Sequence, residues 1–182
     1  MKLSQDQILS AAFALLEADG LDGLTMRKLA PTLHVQPPAL YWHVGGKAEL
    51  LALMAGAIYS EARAAVPATD DWAGWLGHFG HAMRRSFLSR RDGARLCAGA
   101  KPVLAETHAA ADAIAAPLVA LGLERTRAIS FQSSVISLTL GWSLYAQSGA
   151  MHDFLSELMD FEASFDTGLN AMIHGFAHRP AD

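Results

Sequence analysis

The feature that most constrains this chain is the spacing of its apolar residues, which is helical almost from end to end. Ile8, Ala11, Ala12, Leu15 and Leu16 fall at i, i+3, i+4, i+7 and i+8 behind Ser4-x-x-Gln7, a capping box, and Gly20 closes the run. No stretch of four or more residues alternates in the manner of a strand bounded by turns. Without strands, an apolar helical stripe can be buried only on another helix, so the sequence predicts an all-α fold. Thr25 is placed to cap a short second helix through Leu33. Pro37 and Pro38 suit the first turn of a third helix reaching Val44, where a missing N–H costs nothing. Gly45-Gly46 breaks that helix and a longer one follows over 47–65. Pro67-Ala68-Thr69-Asp70-Asp71 reads as a linker, and further helices are expected over 72–89, 92–98 with Asp92 as its cap, 103–121, 123–147, 151–159 and 161–176.

Composition narrows the class of function. With 182 residues, 52% of them hydrophobic and 18% charged, the chain can bury a sizeable core as one domain or as a small module on a larger one. The single cysteine, Cys97, leaves no intramolecular disulfide and no cysteine-based zinc finger. The opening Met1-Lys2-Leu3-Ser4-Gln5-Asp6 lacks a signal-like apolar segment, so a cytoplasmic location is expected. The most apolar stretch, 129–146, is interrupted by Gln132 and by Ser130, Ser133, Ser134, Ser137 and Ser143, which argues against a membrane span. The net charge of −4 argues mildly against nucleic acid as a whole, so the local charge distribution decides.

That distribution is uneven. Asp6, Glu17, Asp19 and Asp22 all precede residue 23, whereas residues 23–47 carry Arg27, Lys28 and Lys47 and no acid. Three short helices within about 45 residues suit a helix-turn-helix module, with Leu40 and Val44 pointing inward. Gln36, Tyr41, Trp42 and His43 are side chains able to bond phosphates or base edges. By spacing alone, an ordinary solvated face with Tyr41 and Trp42 in the core would read equally well.

The residues themselves tip that balance. Leu24-Thr25-Met26-Arg27-Lys28-Leu29-Ala30, Val35, and Leu40-Tyr41-Trp42-His43-Val44-x-x-Lys47 resemble the DNA-binding domain of the tetracycline-repressor family of bacterial regulators. The likeness continues through Leu88-Ser89-x-Arg91-Asp92-Gly93-Ala94, Gly99-x-Lys101-Pro102 and Thr139-Leu140-Gly141. The resemblance implies that Arg27 and Gln36, Pro37, Pro38 and Ala39 reach bases, and that Thr25, Tyr41, Trp42, His43 and Lys47 hold phosphates. Pro37 and Ala39 depart from the glutamine and threonine of the tetracycline repressors, which implies a different operator sequence. The division implied is a reader at 1–47 and an effector-binding and dimerisation domain at 48–182.

By the same resemblance, the effector meets Arg63, Phe79, Met83, Cys97, Ala100, Lys101, Pro102 and Tyr145. Gln132 and Ile136 lie a turn apart on the long helix expected to face that space. Cys97 stands where the tetracycline repressors carry the histidine that ligates drug-bound magnesium, Ala100 replaces a threonine and Tyr145 a carboxylate. A neutral thiol, a methyl and a phenol offer no charge to a hard cation, so an apolar effector without metal or other cofactor is expected. His78 and His81 form a His-x-x-His pair, but two ligands with no third in sequence make a weak metal signal. The helices over 123–147 and 161–176 resemble the family's intersubunit bundle, and Phe161, Phe165, Leu169 and Ile173 form the stripe expected to pack a C2 homodimer, which reads a palindromic operator in double-stranded DNA.

Two other classes remain to be weighed. An enzyme would show a Gly-rich phosphate loop, Gly-x-Ser-x-Gly, clustered carboxylates or a base paired to Cys97, and none is present in the sequence. A helical small-molecule carrier without DNA binding would share the sensor but not the basic, aromatic third helix.

Overall fold

A computed structural model describes residues 3–100 and 107–178, and the described residues form helices joined by turns. The reader begins with α1 (Gln5–Gly23), α2 (Met26–Thr32) and α3 (Pro37–Tyr41). The capping box forms as the sequence predicts: Ser4 Oγ accepts from Gln7 N–H, and Gln7 Oε1 accepts from Ser4 N–H. Gly20 does not end α1. It sits at φ 72° and kinks the helix, which resumes for one more turn to Gly23. Only glycine fits there, because a Cβ would be strained at that φ and would also lie 3.0 Å from Asp92 Oδ2. After α2, His34 takes a left-handed φ of 56° and Val35 N–H donates back to Ala30 C=O, a reverse turn that ends the helix tightly and launches α3.

The long α4 (Lys47–Ala64) belongs to both halves of the molecule. Leu50 and Met54 join Ile8, Leu16, Leu29 and Leu40 in the core of the reader, and Ile58 and Ala62 continue the same core towards α5 (Trp72–Leu88). Around α5 stand α6 (Gly93–Gly99), α7 (Thr107–Ala120), α8 (Arg125–Ala146), α9 (Ala150–Leu158) and α10 (Phe161–Ala177). Trp75 and Phe79 stack at 4.8 Å between centroids, and Phe131 stacks on Phe176 at 4.0 Å. No helix among the described residues is long and apolar enough to cross a membrane.

Two expectations are overturned here. Asp92 occupies the N-cap position of α6 but makes no capping bond; at φ 55° its carboxylate turns instead to accept the Leu21 N–H of the reader at 2.8 Å. The stripe Phe161, Phe165, Leu169 and Ile173 is not an intersubunit seam, because all four side chains are buried within one chain. Leu169 fits against Gly80 of α5 and Val135 of α8, while Trp142 meets Phe161 and Phe165 edge-on. Arg84 of α5 lies over the Phe165 ring at 4.8 Å and pairs with Glu162, holding α10 on α5. A periodic stripe reveals that a face is covered, not what covers it.

Candidate functional site

The reader presents a short platform. α3 is anchored by Leu40 and Val44, which are 0% and 1% exposed, and this leaves Trp42 90% and Tyr41 50% exposed beside them. The reading that put these aromatics in the core therefore fails. Two large aromatic side chains held outward by buried neighbours mark a surface built for contact. His43, Gln36, Pro38 and Ala39 are exposed around them, and Pro37 is half-buried at the first turn of α3.

The cations beside the platform differ in their freedom. Lys28 is committed to Asp19 at 2.6 Å, so it adds little positive potential. Arg27 is exposed and makes no ion pair or hydrogen bond among the described residues, leaving its guanidinium fork open. Lys47 opens α4, its ammonium exposed and 3.5 Å from the Leu21 carbonyl, where ammonium and helix N-terminus both favour an anion. Thr25 Oγ1 accepts from Lys28 N–H as the N-cap of α2, which occupies its acceptor side and leaves the hydroxyl proton to donate outward.

The reader is clasped to the rest of the chain by a polar cluster that sequence periodicity could not reveal. Glu17 accepts from Arg91 N–H at 2.9 Å, and the Arg91 guanidinium donates to the carbonyls of Glu17 and Ala18. Asp92 takes the Leu21 N–H, freed by the kink at Gly20, and Asp22 forms a two-point pair with Arg95, both at 2.8 Å. The Arg95 hydrogen bond and charge, with Lys47 adding to them, hold the Asp22 carboxyl below its ordinary range. The turn before α6 and α6 itself thus grip the end of α1, one link from the platform.

On the sensor side, Phe79, Met83 and Cys97 share the buried core. Gln132 is wholly buried, and Ile136 and Ala100 are half-buried against that core. Arg63 is half-buried on α4 and its Nη1 donates to the Ala113 carbonyl of α7 at 3.2 Å. Tyr145 is 47% exposed, and thirteen residues at 3.6 per turn put it on the other side of α8 from Gln132, so the two do not share a cavity within one chain. Lys101 and Pro102 lie outside the described residues. His78 is exposed and His81 lies 3.7 Å from Asp166, and no group of three metal-binding side chains forms among the described residues.

Burial pushes the Cys97 thiol up to about 12 and, with Cys97 beside it, the Tyr59 phenol to about 12. Both groups therefore keep their protons in the folded chain at pH values where the unfolded chain has lost them. Their stabilisation is full below the unfolded value, about 9 for the thiol, and is lost as pH rises towards 12. We expect the melting temperature to fall steeply between pH 9 and 12, and Cys97→Ala to flatten that fall; an unchanged slope would place the cause elsewhere.

A small aromatic and basic helix-turn-helix platform, clasped through its first helix to a larger helical body, defines a DNA-binding regulator with a ligand-binding C-terminal domain. Residues 8–54 match the bacterial regulatory proteins of the tetR family, and residues 66–153 match the tetracyclin repressor-like C-terminal domain. The chain is 32% identical to the tetracycline repressor protein class E of Escherichia coli, over 97% of this chain and 92% of that one. It is similar to the crystal structure of a TetR variant from Acinetobacter baumannii AYE in complex with minocycline, at 33% identity with a TM-score of 0.81 and all of both chains covered. It is also similar to class A TetR in complex with 5a,6-anhydrotetracycline and magnesium, at 34% identity and a TM-score of 0.75, covering 98% of this chain and all of that one. The chain belongs to the TetR family, and it is a transcriptional repressor with a helix-turn-helix DNA-binding domain and a ligand-binding C-terminal domain.

Proposed function

We propose that residues 1–47 are the reader, with Arg27 and Gln36 to Ala39 facing base edges and Thr25, Tyr41, Trp42, His43 and Lys47 holding phosphates. In this reading residues 48–182 sense the effector, α4 links the two, and the protein works in the cytoplasm. The single observation that carries it is the exposure of Trp42 and Tyr41 on a helix whose Leu40 and Val44 are locked in the core, with an unpaired Arg27 alongside. The test separates two kinds of contact. Lys47→Ala should weaken binding to all DNA alike and flatten the salt dependence by about one unit per half-site, because it removes a phosphate charge. Arg27→Ala should cost ~1–3 kcal/mol and relax preference at one operator position. Equal losses on operator and scrambled DNA for both variants would remove Arg27 from base reading.

The effector proposed is small and largely apolar, released from any need for magnesium. Phe79, Met83, Cys97 and Ala100 offer a hard cation no oxygen or charge, and the protonated Cys97 thiol is a poor ligand. These residues do not fit the metal named with the class A relative, so the effector is read as held by packing and by the polar groups of α8, Arg63, Lys101, Pro102, Ile136 and the partner-facing Tyr145.

For the dimer face we propose the outer sides of α8 and α10, not the buried stripe. Gly141, Gly168 and Gly175 lie inside helices, where glycine costs ~1 kcal/mol relative to alanine, yet a Cβ at any of them would meet nothing within 4 Å. Nothing within one chain requires glycine there, whereas a second copy packing closely would. Ser137→Arg with Ala171→Arg, both at exposed positions, should therefore leave a folded monomer in sedimentation. A dimer that survives both would move the interface.

A further inference from the structure

The leading turn of α3 has no hydrogen-bond donor to offer. Pro37 and Pro38 lack an N–H, and the next two N–H groups, of Ala39 and Leu40, both donate to the Gln36 carbonyl, at 2.9 and 3.4 Å. The side chains of Pro37, Pro38 and Ala39 are hydrocarbon and can neither donate nor accept. This end of the helix therefore holds no phosphate, and it makes no hydrogen bond to a base edge through these side chains.

Pro38 and Ala39 nevertheless stand out from the core. With Leu40 fixed inward at 0% exposure, Pro38 lies about 160° from it around the helix axis and within about 40° of Trp42, and Ala39 lies about 100° from it on the flank. Both are exposed, while Pro37, turned towards the core side, is half-buried. The hydrocarbon edge is thus continuous with the Tyr41 and Trp42 platform. The exposed Gln36, whose amide makes no capping bond, comes immediately before it. An apolar side chain at the point of a reading helix gains by covering apolar surface, and the hydrocarbon group that base pairs display in the major groove is the thymine 5-methyl.

We infer that Pro38 and Ala39 read thymine in each operator half-site through its 5-methyl group alone, so that a 5-methyl added to cytosine at that position gains what its removal from thymine loses. The inference rests on the reading of residues 1–47 as a DNA reader. Thymine and cytosine differ in the groove by the methyl and by the exchange of the O4 acceptor for the N4 donor. A hydrocarbon edge bonds neither of those polar groups, so the methyl is what it senses. Binding then responds to cytosine C5-methylation: DNA with cytosine at the thymine position is a weak site until it is methylated.

The probe is the palindromic duplex that the full-length protein itself selects from a random duplex library, followed by fluorescence anisotropy beside a scrambled duplex. Each symmetry-related pair of thymines is replaced in turn by deoxyuridine, which removes the methyl and keeps every hydrogen-bonding group. Covering one methyl corresponds to about fourfold in affinity, so at one pair or more the loss should be about fifteenfold. At that pair, 5-methylcytosine should bind about fifteenfold more tightly than cytosine. Pro38→Ser and Ala39→Gly should each bring the thymine-over-deoxyuridine ratio at that pair towards one, a ratio that a general loss of fold or affinity would not move. Deoxyuridine bound as tightly as thymine at every pair, or 5-methylcytosine bound no better than cytosine, would overturn the inference and leave the DNA reader standing. A ratio unchanged in both variants would assign the methyl to other side chains and overturn it equally. A protein that selects no duplex over scrambled DNA would overturn the reading of residues 1–47 itself.

Discussion

Leu169→Glu is expected to unfold the sensor rather than to split a dimer. Leu169 is fully buried in one chain, wedged against Gly80 and Val135, where a Cβ on Gly80 would already lie 2.8 Å from Leu169 Cδ2. Losing the leucine side chain at such a site costs ~2–5 kcal/mol, and an unpaired buried carboxylate adds several more. The sum is comparable with the whole stability of a domain, ~5–15 kcal/mol. Circular dichroism should show loss of helix at room temperature, and sedimentation should show aggregation or an expanded chain. A compact, helical monomer would mean that the stripe on α10 is an intersubunit seam after all. The same logic advises against Phe79→Ala as a probe of effector binding: Phe79 is stacked on Trp75 in the core, and truncation would cost ~3–5 kcal/mol before any effector entered the argument.

The second large effect belongs to the platform. Tyr41→Phe combined with Trp42→Phe should remove a phenolic and an indole donor without touching the core, because both side chains stand out from it. A hydrogen bond to a charged group contributes ~1.5–3 kcal/mol, so two of them to phosphates correspond to ~3 kcal/mol or more, about a hundredfold or greater loss of operator affinity. The melting temperature should stay within a degree or two. Lost affinity accompanied by lost stability would show that the aromatics support the fold; unchanged affinity would put the DNA on another face.

The helices were legible because a buried face imposes its period on the sequence. Ser4 and Gln7, Thr25, and Pro37 with Pro38 mark helix starts through chemistry local to a few residues, and the structure has helices starting there. What was not legible depends on partners distant in sequence. Asp92 has the composition of a cap, but the Leu21 N–H, released by the kink at Gly20, competes for its carboxylate from 71 residues away. Phe161 to Ile173 has the pattern of a seam, but α5 and α8 of the same chain cover it. Lys28 counts as a cation in sequence and is paired with Asp19 in space. Gln132 was visible as a polar residue in an apolar run; that both ends of its amide lack a partner, and that Thr139 and Ser143 share its side, emerges only with the packing around α8.

The central claim is that α3 and its neighbouring cations read a palindromic operator through few phosphate charges. The most direct measurement is the affinity of the dimer for the palindrome in the DNA upstream of its own coding sequence, followed by fluorescence anisotropy at 50 and 200 mM salt beside a scrambled duplex. With Lys47 and Arg27 as exposed cations of each half-site that make no ion pair among the described residues, the account predicts two to four charge contacts, a salt slope between about −2 and −4, and a roughly 15- to 250-fold loss across that range. It predicts binding to the scrambled duplex at least ~10³-fold weaker than to the palindrome. Equal affinity for the two duplexes, or none for either, would contradict it.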